Sequence, residues 1–238
     1  MDKYEIAKRI EDFAPTETQE DWDCSGWAVD VEGYDEINKI MLCLTVTEDI
    51  IKQAKKQNCD LIISHHPMFW INCHSELVSE SYVPQINIYC AHTNMDKAQG
   101  GTTDTIIEKL GLNNYKISVE HDFLRIIDYK TTVNEFNKLI KPISPNARII
   151  NNKHVEQLKR IAFCAGSGSE FINDAKEFGA DCLVTGDLKF HTALDSSIVV
   201  YDIGHFESEI LILPVFAKII CNDVKIVYAD EYSPFVLI

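Results

Sequence analysis

Ile6, Ile10 and Phe13 recur at helical spacing and Pro15 stops the pattern, so the chain opens on an amphipathic helix. A polar loop carrying two indoles follows, DWDCSGW at 21–27. Beyond it, apolar runs at 40–46, 61–64, 86–91, 123–127, 161–165, 182–185, 198–202 and 224–228 read as strands. Helical patterns lie between several of them, one expected over 207–220. Short β-rich runs separated by helices of roughly ten residues predict an α/β fold.

The apolar pattern also repeats. Residues 39–63, KIMLCLTVTEDIIKQAKKQNCDLII, lie over 160–184, RIAFCAGSGSEFINDAKEFGADCLV, at a constant offset of 121 without a gap. Each copy reads strand, helix, strand. After one more strand the first half gives His92-x3-Asp96 and the second gives His205-x3-Glu209. Two related α/β halves are expected, 1–121 with the HHP and HTNMD motifs and 122–238 with GDLKFH and GHFESE, the boundary falling near 120–123.

Composition narrows the setting. Twenty-two Lys+Arg against thirty-seven Asp+Glu leave a formal charge of −15. So acidic a body disfavours nucleic acid and anionic membranes as partners. The apolar stretch 210–220 is roughly half a membrane span, and the first ten residues hold no signal-peptide core. The eight cysteines show no C-x2-C spacing. Cys43, Cys90, Cys164, Cys182 and Cys221 sit in or at the end of apolar runs, where a thiol behaves as a small buried hydrophobe. A cytoplasmic location is the expectation.

Candidate chemistry gathers where strands end. His65 and His66 close an apolar strand directly before Pro67, which biases His66 toward extended backbone. Adjacent side chains of an extended segment point opposite ways, so the pair reaches two points, such as two metal ions. Ligand sites collect at this edge of α/β sheets. His205 and Glu209, four apart at an expected helix start, share one face, with Asp202 placed to cap or support them. His92 and Asp96 repeat that spacing. Imidazole with carboxylate suits zinc, iron, manganese or cobalt. Asp187 and His191 read either as a general acid/base pair or as a helix cap and a helix-face residue. GSGS at 166–169 lacks the Lys-Ser/Thr of a P-loop, while GGTTD at 100–104 reads as a helix start whose amides suit a phosphate.

Taken in order with DWDCSGW ahead of them, IISHHPMFW, AHTNMD, GDLKFH and DIGHFESE resemble, over nearly the whole chain, the motifs of the YbgI-like family. Its members are also called NGG-interacting-factor-three-like proteins or GTP cyclohydrolase I type 2. The resemblance implies two related α/β domains with a dinuclear metal site in the cleft between them. His65, His66, Asp96, His205 and Glu209 would hold two divalent ions, Glu209 bridging, with His92 a close neighbour. It further implies a toroidal homohexamer and a small-molecule substrate. The implied reaction converts GTP into dihydroneopterin triphosphate and formate through a metal-bound hydroxide. His92, Asp187 and His191 are then the candidates for moving protons, and Lys97 and Lys189 for helping to hold a triphosphate. Two alternatives stay open: a metal-dependent hydrolase of another phosphoester or amide, and a non-catalytic metal-delivery or scaffold protein. The family's Trp-Asp-Asn-x-Gly loop reads Trp22-Asp23-Cys24-Ser25-Gly26 here, leaving the polar role of position 24 in doubt.

Overall fold

The computed structural model describes residues 1–68, 84–221 and 223–236. Phe69 and Trp70 of the IISHHPMFW motif lie outside the described residues. The chain divides into two compact units, one formed by Met1–Ala98 with Ile212–Ile238 and the other by Gln99–Leu211. Each is a mixed α/β layer structure with its own sheet.

In the first unit the sheet order is β1 (Gly26–Val29), β4 (Asn87–Cys90), β3 (Leu61–His66), β2 (Lys39–Thr45), β11 (Lys225–Tyr228). All neighbours are parallel except β1, which closes one edge antiparallel to β4. Nearly every residue of β2 and β3 is buried, as expected of parallel strands covered on both faces. Met41, Cys43, Ile62 and Ile88 pack under α2 (Glu48–Lys56), whose Ile50, Ile51 and Ala54 form its apolar stripe. Thr47 caps that helix through its hydroxyl. Helix α1 (Lys3–Phe13) packs on α9 (Leu213–Ile220), which also covers β2. Lys3 at the start of α1 is buried with its ammonium between Asp30 and Asp35 (2.6 and 2.8 Å). Burial opposes that charge, but the two carboxylates outweigh it and raise the Lys3 pKa.

In the second unit the order is β5 (Ile117–His121), β6 (Leu124–Thr132), β8 (Gln157–Phe163), β9 (Cys182–Thr185), β10 (Val199–Asp202), β7 (Arg148–Ile150). The strands β8, β9 and β10 are parallel. Alternation sorts the two faces: Ile161 and Phe163 pack with Ile106, Phe136 and Ile140, while Ala162 and Cys164 pack with Ile172 and Ala175. The first set lies under α4 (Thr102–Lys109) and α5 (Val133–Ile140), the second under α6 (Ile172–Glu177). A capping box between Thr132 and Glu135 starts α5. Arg125 is a buried cation of this unit, its guanidinium on Asp104 (2.8 Å) and on the carbonyls of Asp122 and Leu124. Arg125→Met strands the Asp104 carboxylate and is expected to cost about 3–5 kcal/mol. A denaturant titration checks it, and an unshifted midpoint would refute the pair's role.

The repeat is reproduced in its strand register, although the first copy's α2 corresponds in the second to a 3-10 turn at Ser169–Phe171 and the shorter α6. Ile40 pairs with Leu61 and Ile161 with Cys182, the same register at the offset of 121. The Asp60 amide donates to Lys39 O, and the Asp181 amide to Arg160 O. In turn Asp60 accepts from the Asn38 and Lys39 amides, and Asp181 from those of Lys159 and Arg160. Downstream the match slips. Ser64 pairs with Cys90 and Thr185 with Asp202, which sets His92 level with Gly204 rather than His205. His92 is therefore an N-cap residue and His205 the first residue of its helix. The two His-x3-acid spacings occupy different helical positions.

Other expectations also shift. The 207–220 pattern is not one helix: α8 (His205–Glu209) gives way to a 3-10 turn at Ile210–Ile212 before α9, where Pro214, lacking an amide hydrogen, fits the first turn. Cys221 is exposed, not buried, at a left-handed residue past the helix end. Packing joins α9 and β11 to the first unit, whereas the expected split at 121/122 follows the repeat. The edge strands β1, β5 and β7 are short and partly exposed, so no apolar run marks them.

Candidate metal centre

In the first unit, parallel β3 carries His65 and His66 to the carboxyl end of the sheet, and β4 delivers His92 to the same edge. His92 caps α3 (Thr93–Lys97), which presents Asp96 in its last turn. One ring nitrogen from each of His65, His66 and His92 lies within 4.8 Å of the others. Their ring centroids are 5.1–5.5 Å apart. His65 Nε2 stands 3.5 Å from Asp96 Oδ1.

The remaining nitrogens are tethered. His65 Nδ1 lies 3.0 Å from the Ala91 carbonyl, which only accepts, so Nδ1 carries the hydrogen and Nε2 the lone pair. His92 Nδ1 lies 2.8 Å from Asp23 Oδ1, and His66 Nδ1 lies 2.7 Å from the Thr45 hydroxyl. Fixing Nδ1 by a carbonyl, carboxylate or hydroxyl is how proteins orient metal-binding imidazoles. With Asp96 beside them, these donors fit a divalent metal of the zinc–iron–manganese–cobalt kind.

The loop ahead of β1 supports this edge. Asp23, its side chain fully buried, accepts from the Cys24 amide, the Thr93 amide and the Thr93 hydroxyl besides His92. Burial alone raises its pKa, but the His92 hydrogen bond and charge, with the Thr93 bonds, hold the carboxyl well below its ordinary value. Ser25 donates to Asn94 and accepts from the His92 amide. Position 24 thus enters this network through its backbone amide.

In the second unit α8 starts after Gly204, a residue at φ +87. His205 Nε2 lies 2.8 Å from Glu209 Oε2, the two four residues apart on one face, and Nδ1 lies 2.7 Å from Asp187 Oδ2. Asp187 sits in the left-handed region at φ +53. Burial pulls the His205 pKa down, yet Glu209 and Asp187 outweigh it and take it to about 9. An imidazole flanked by two carboxylates is a place where a metal cation substitutes for a proton. Glu209 is buried, and Gly166 packs so closely that a β-carbon there would overlap its carboxylate.

The remaining candidates fall elsewhere. Asp202 holds the turn after β10, accepting from the Gly204 and Leu188 amides and pairing with Arg148. His191 is exposed on α7 (Phe190–Asp195), its ring against Phe190. The GSGS loop is structural: the Gly166 amide donates to Ser208 and the Gly168 amide to Thr185. At GGTTD, Asp104 in the first turn of α4 is committed to Arg125. Lys97 pairs with Glu20. Sequence reasoning left out Asp23, Thr45 and the Ala91 carbonyl as partners of the histidines. The loop motif around Trp22 was the one signal for Asp23, whereas a hydroxyl and a carbonyl on buried strands leave none.

The Duf34/NIF3 (NGG1p interacting factor 3) family model matches residues 1–233. A GTP cyclohydrolase 1 type 2 homolog of Clostridium perfringens is 35% identical over 237 residues, covering 90% of this chain and 88% of that protein. The homolog of Campylobacter jejuni is 30% identical, covering 97% of both. Among solved structures, reduced HcgD from Methanocaldococcus jannaschii superposes with a TM-score of 0.82 at 26% identity, covering 97% of this chain and 98% of that one. A Bacillus cereus protein related to NIF3 gives 0.84 at 18% identity, covering 100% and 99%, a likeness of fold. The chain belongs to the Duf34/NIF3 family.

Proposed function

We propose that the chain is a dinuclear metal-dependent hydrolase of the GTP cyclohydrolase 1 type 2 kind. In this reading His65, His66 and Asp96 of the first unit and His205 and Glu209 of the second hold two divalent ions between them, Glu209 bridging. The two ligand-bearing halves would descend from one duplicated α/β unit, split at 121/122, and the shared strand register supports that descent. The observation that carries the metal reading is the tethering of Nδ1 in the adjacent His65 and His66, which orients both imidazoles as metal-binding ones are oriented.

Bound divalent ions would supply Lewis acidity and a water of lowered pKa. The chain's own part is to orient and to carry protons. Asp187, its Oδ2 2.7 Å from Nδ1, orients the ring of His205. His92 offers a proton-accepting nitrogen beside the His65–His66 pair, and His191 is the exposed candidate for returning a proton. Assembly as a toroidal homohexamer in the cytoplasm belongs to the same proposal.

A second reading, metal delivery without turnover, is favoured by the arginines. Arg9, Arg125, Arg148 and Arg160 each pair with carboxylates of the chain. At a net charge of −15, a triphosphate would rely on the metals, Lys189 and helix N-termini. The experiment is GTP turnover by protein loaded with zinc, iron, manganese or cobalt in turn, following formate and the pterin. Turnover that tracks occupancy supports the cyclohydrolase. A fully loaded, inactive protein whose metal exchanges readily supports delivery.

A further inference from the structure

We propose that Asp23 is a positioning residue for His92, fixing the imidazole as the Nδ1–H tautomer so that Nε2 faces the His65–His66 pair as a proton acceptor. The role as acceptor rests on the hydrolase reading; the tautomer does not.

The argument is one of donors and acceptors. The Asp23 side chain is fully buried, and its two oxygens are met by the Cys24 amide, the Thr93 amide and the Thr93 hydroxyl. Those are all donors, so the carboxylate is fixed in place as an acceptor before the imidazole is considered. The group 2.8 Å away on His92 must then also donate, which puts the hydrogen on Nδ1. Ring orientation is fixed as well. The His92 amide is held by Ser25, and Trp22 packs edge-on against the ring at 5.9 Å. One ring nitrogen of His92 lies within 4.8 Å of one from each of His65 and His66, whose centroids are 5.2 and 5.5 Å away. Carboxylate, imidazole and reacting site thus stand in the order by which a buried aspartate holds a general base in one tautomer. In the reaction, a water O–H bond breaks as Nε2–H forms. The oxygen's electron pair goes to the electrophilic atom of the substrate, and the imidazolium then returns the proton to the leaving group. Asp23 stays ionised throughout and keeps the Nδ1–H bond.

The test begins with the wild-type protein, metal-free and in alkaline buffer, by long-range 15N–1H NMR of the histidine rings. A protonated Nδ1 and bare Nε2 at His92 are expected; the opposite tautomer overturns the inference. Asp23→Asn is then examined. Its amide donates to Nδ1 and is expected to invert the tautomer, with metal content retained and turnover reduced by about 10^4-fold, as tautomer inversion does in a catalytic triad. An unchanged tautomer, unchanged turnover after inversion, or loss of metal would each overturn it, the last by making His92 a ligand. Failure of the hydrolase reading is distinguishable: wild-type protein would show the expected tautomer yet no turnover with any metal.

Discussion

Glu209→Ala is expected to abolish binding of at least one of the two proposed metals and with it all turnover. The carboxylate is buried, lies 2.8 Å from His205 Nε2 and faces a glycine that leaves no room for a β-carbon. Removing it leaves His205 paired with Asp187 and takes away the donor that would bridge two ions. Loss of supporting residues around a metal typically costs 10–100-fold in affinity, so loss of a shared ligand is expected to exceed about a hundredfold. Elemental analysis after dialysis against excess metal reads the result directly. Full occupancy in this variant would end the bridging assignment and leave the first unit's histidines as the better candidate for an independent site.

Gly166→Ala is expected to act on the same carboxylate without touching it chemically. Gly166 has φ +62, and an added β-carbon would overlap Glu209 Oε1 and approach its Cδ to 3.2 Å. The left-handed backbone alone costs an ordinary residue about 1–2 kcal/mol. The overlap adds a displacement of Glu209, so metal affinity is expected to fall together with stability. Gly179→Ala separates the two effects. It lies in the same unit at φ +84, and a β-carbon there meets nothing closer than Arg160 Cδ at 3.8 Å. That variant is expected to lose stability and keep its metals, as measured by denaturant titration and elemental analysis side by side. If Gly166→Ala binds metal as the Gly179 variant does, the close approach to Glu209 has no functional meaning.

Continuous apolar runs were enough to place the buried strands, because a strand covered on both faces must be apolar along its length. The 39–63 and 160–184 repeat held in its strand register for the same reason: identical spacing of apolar positions and a common aspartate fix one register. The histidines that close β3 were legible as a candidate site because ligand positions gather at the carboxyl end of parallel strands, and the fold sets His92 beside them. Edge strands such as β7 were not legible, since three residues, two of them exposed, carry no period.

By itself the sequence determined the α/β class, the family, the internal repeat and the residue types from which a metal centre is made. All of these depend on local spacing or on composition, and a one-dimensional pattern carries both. Tertiary structure decided what local spacing cannot encode. It returned β11 to the side of β2, 186 residues away between paired Ile226 and Ile40, and so gave the last strand to the first sheet. It set His92 and His205 at different helical positions despite equal spacing to their acids, because strand pairing and not residue count fixes where each helix begins. And it brought Asp23 to His92 across 69 residues of chain, a contact made by a buried carboxylate's need for donors.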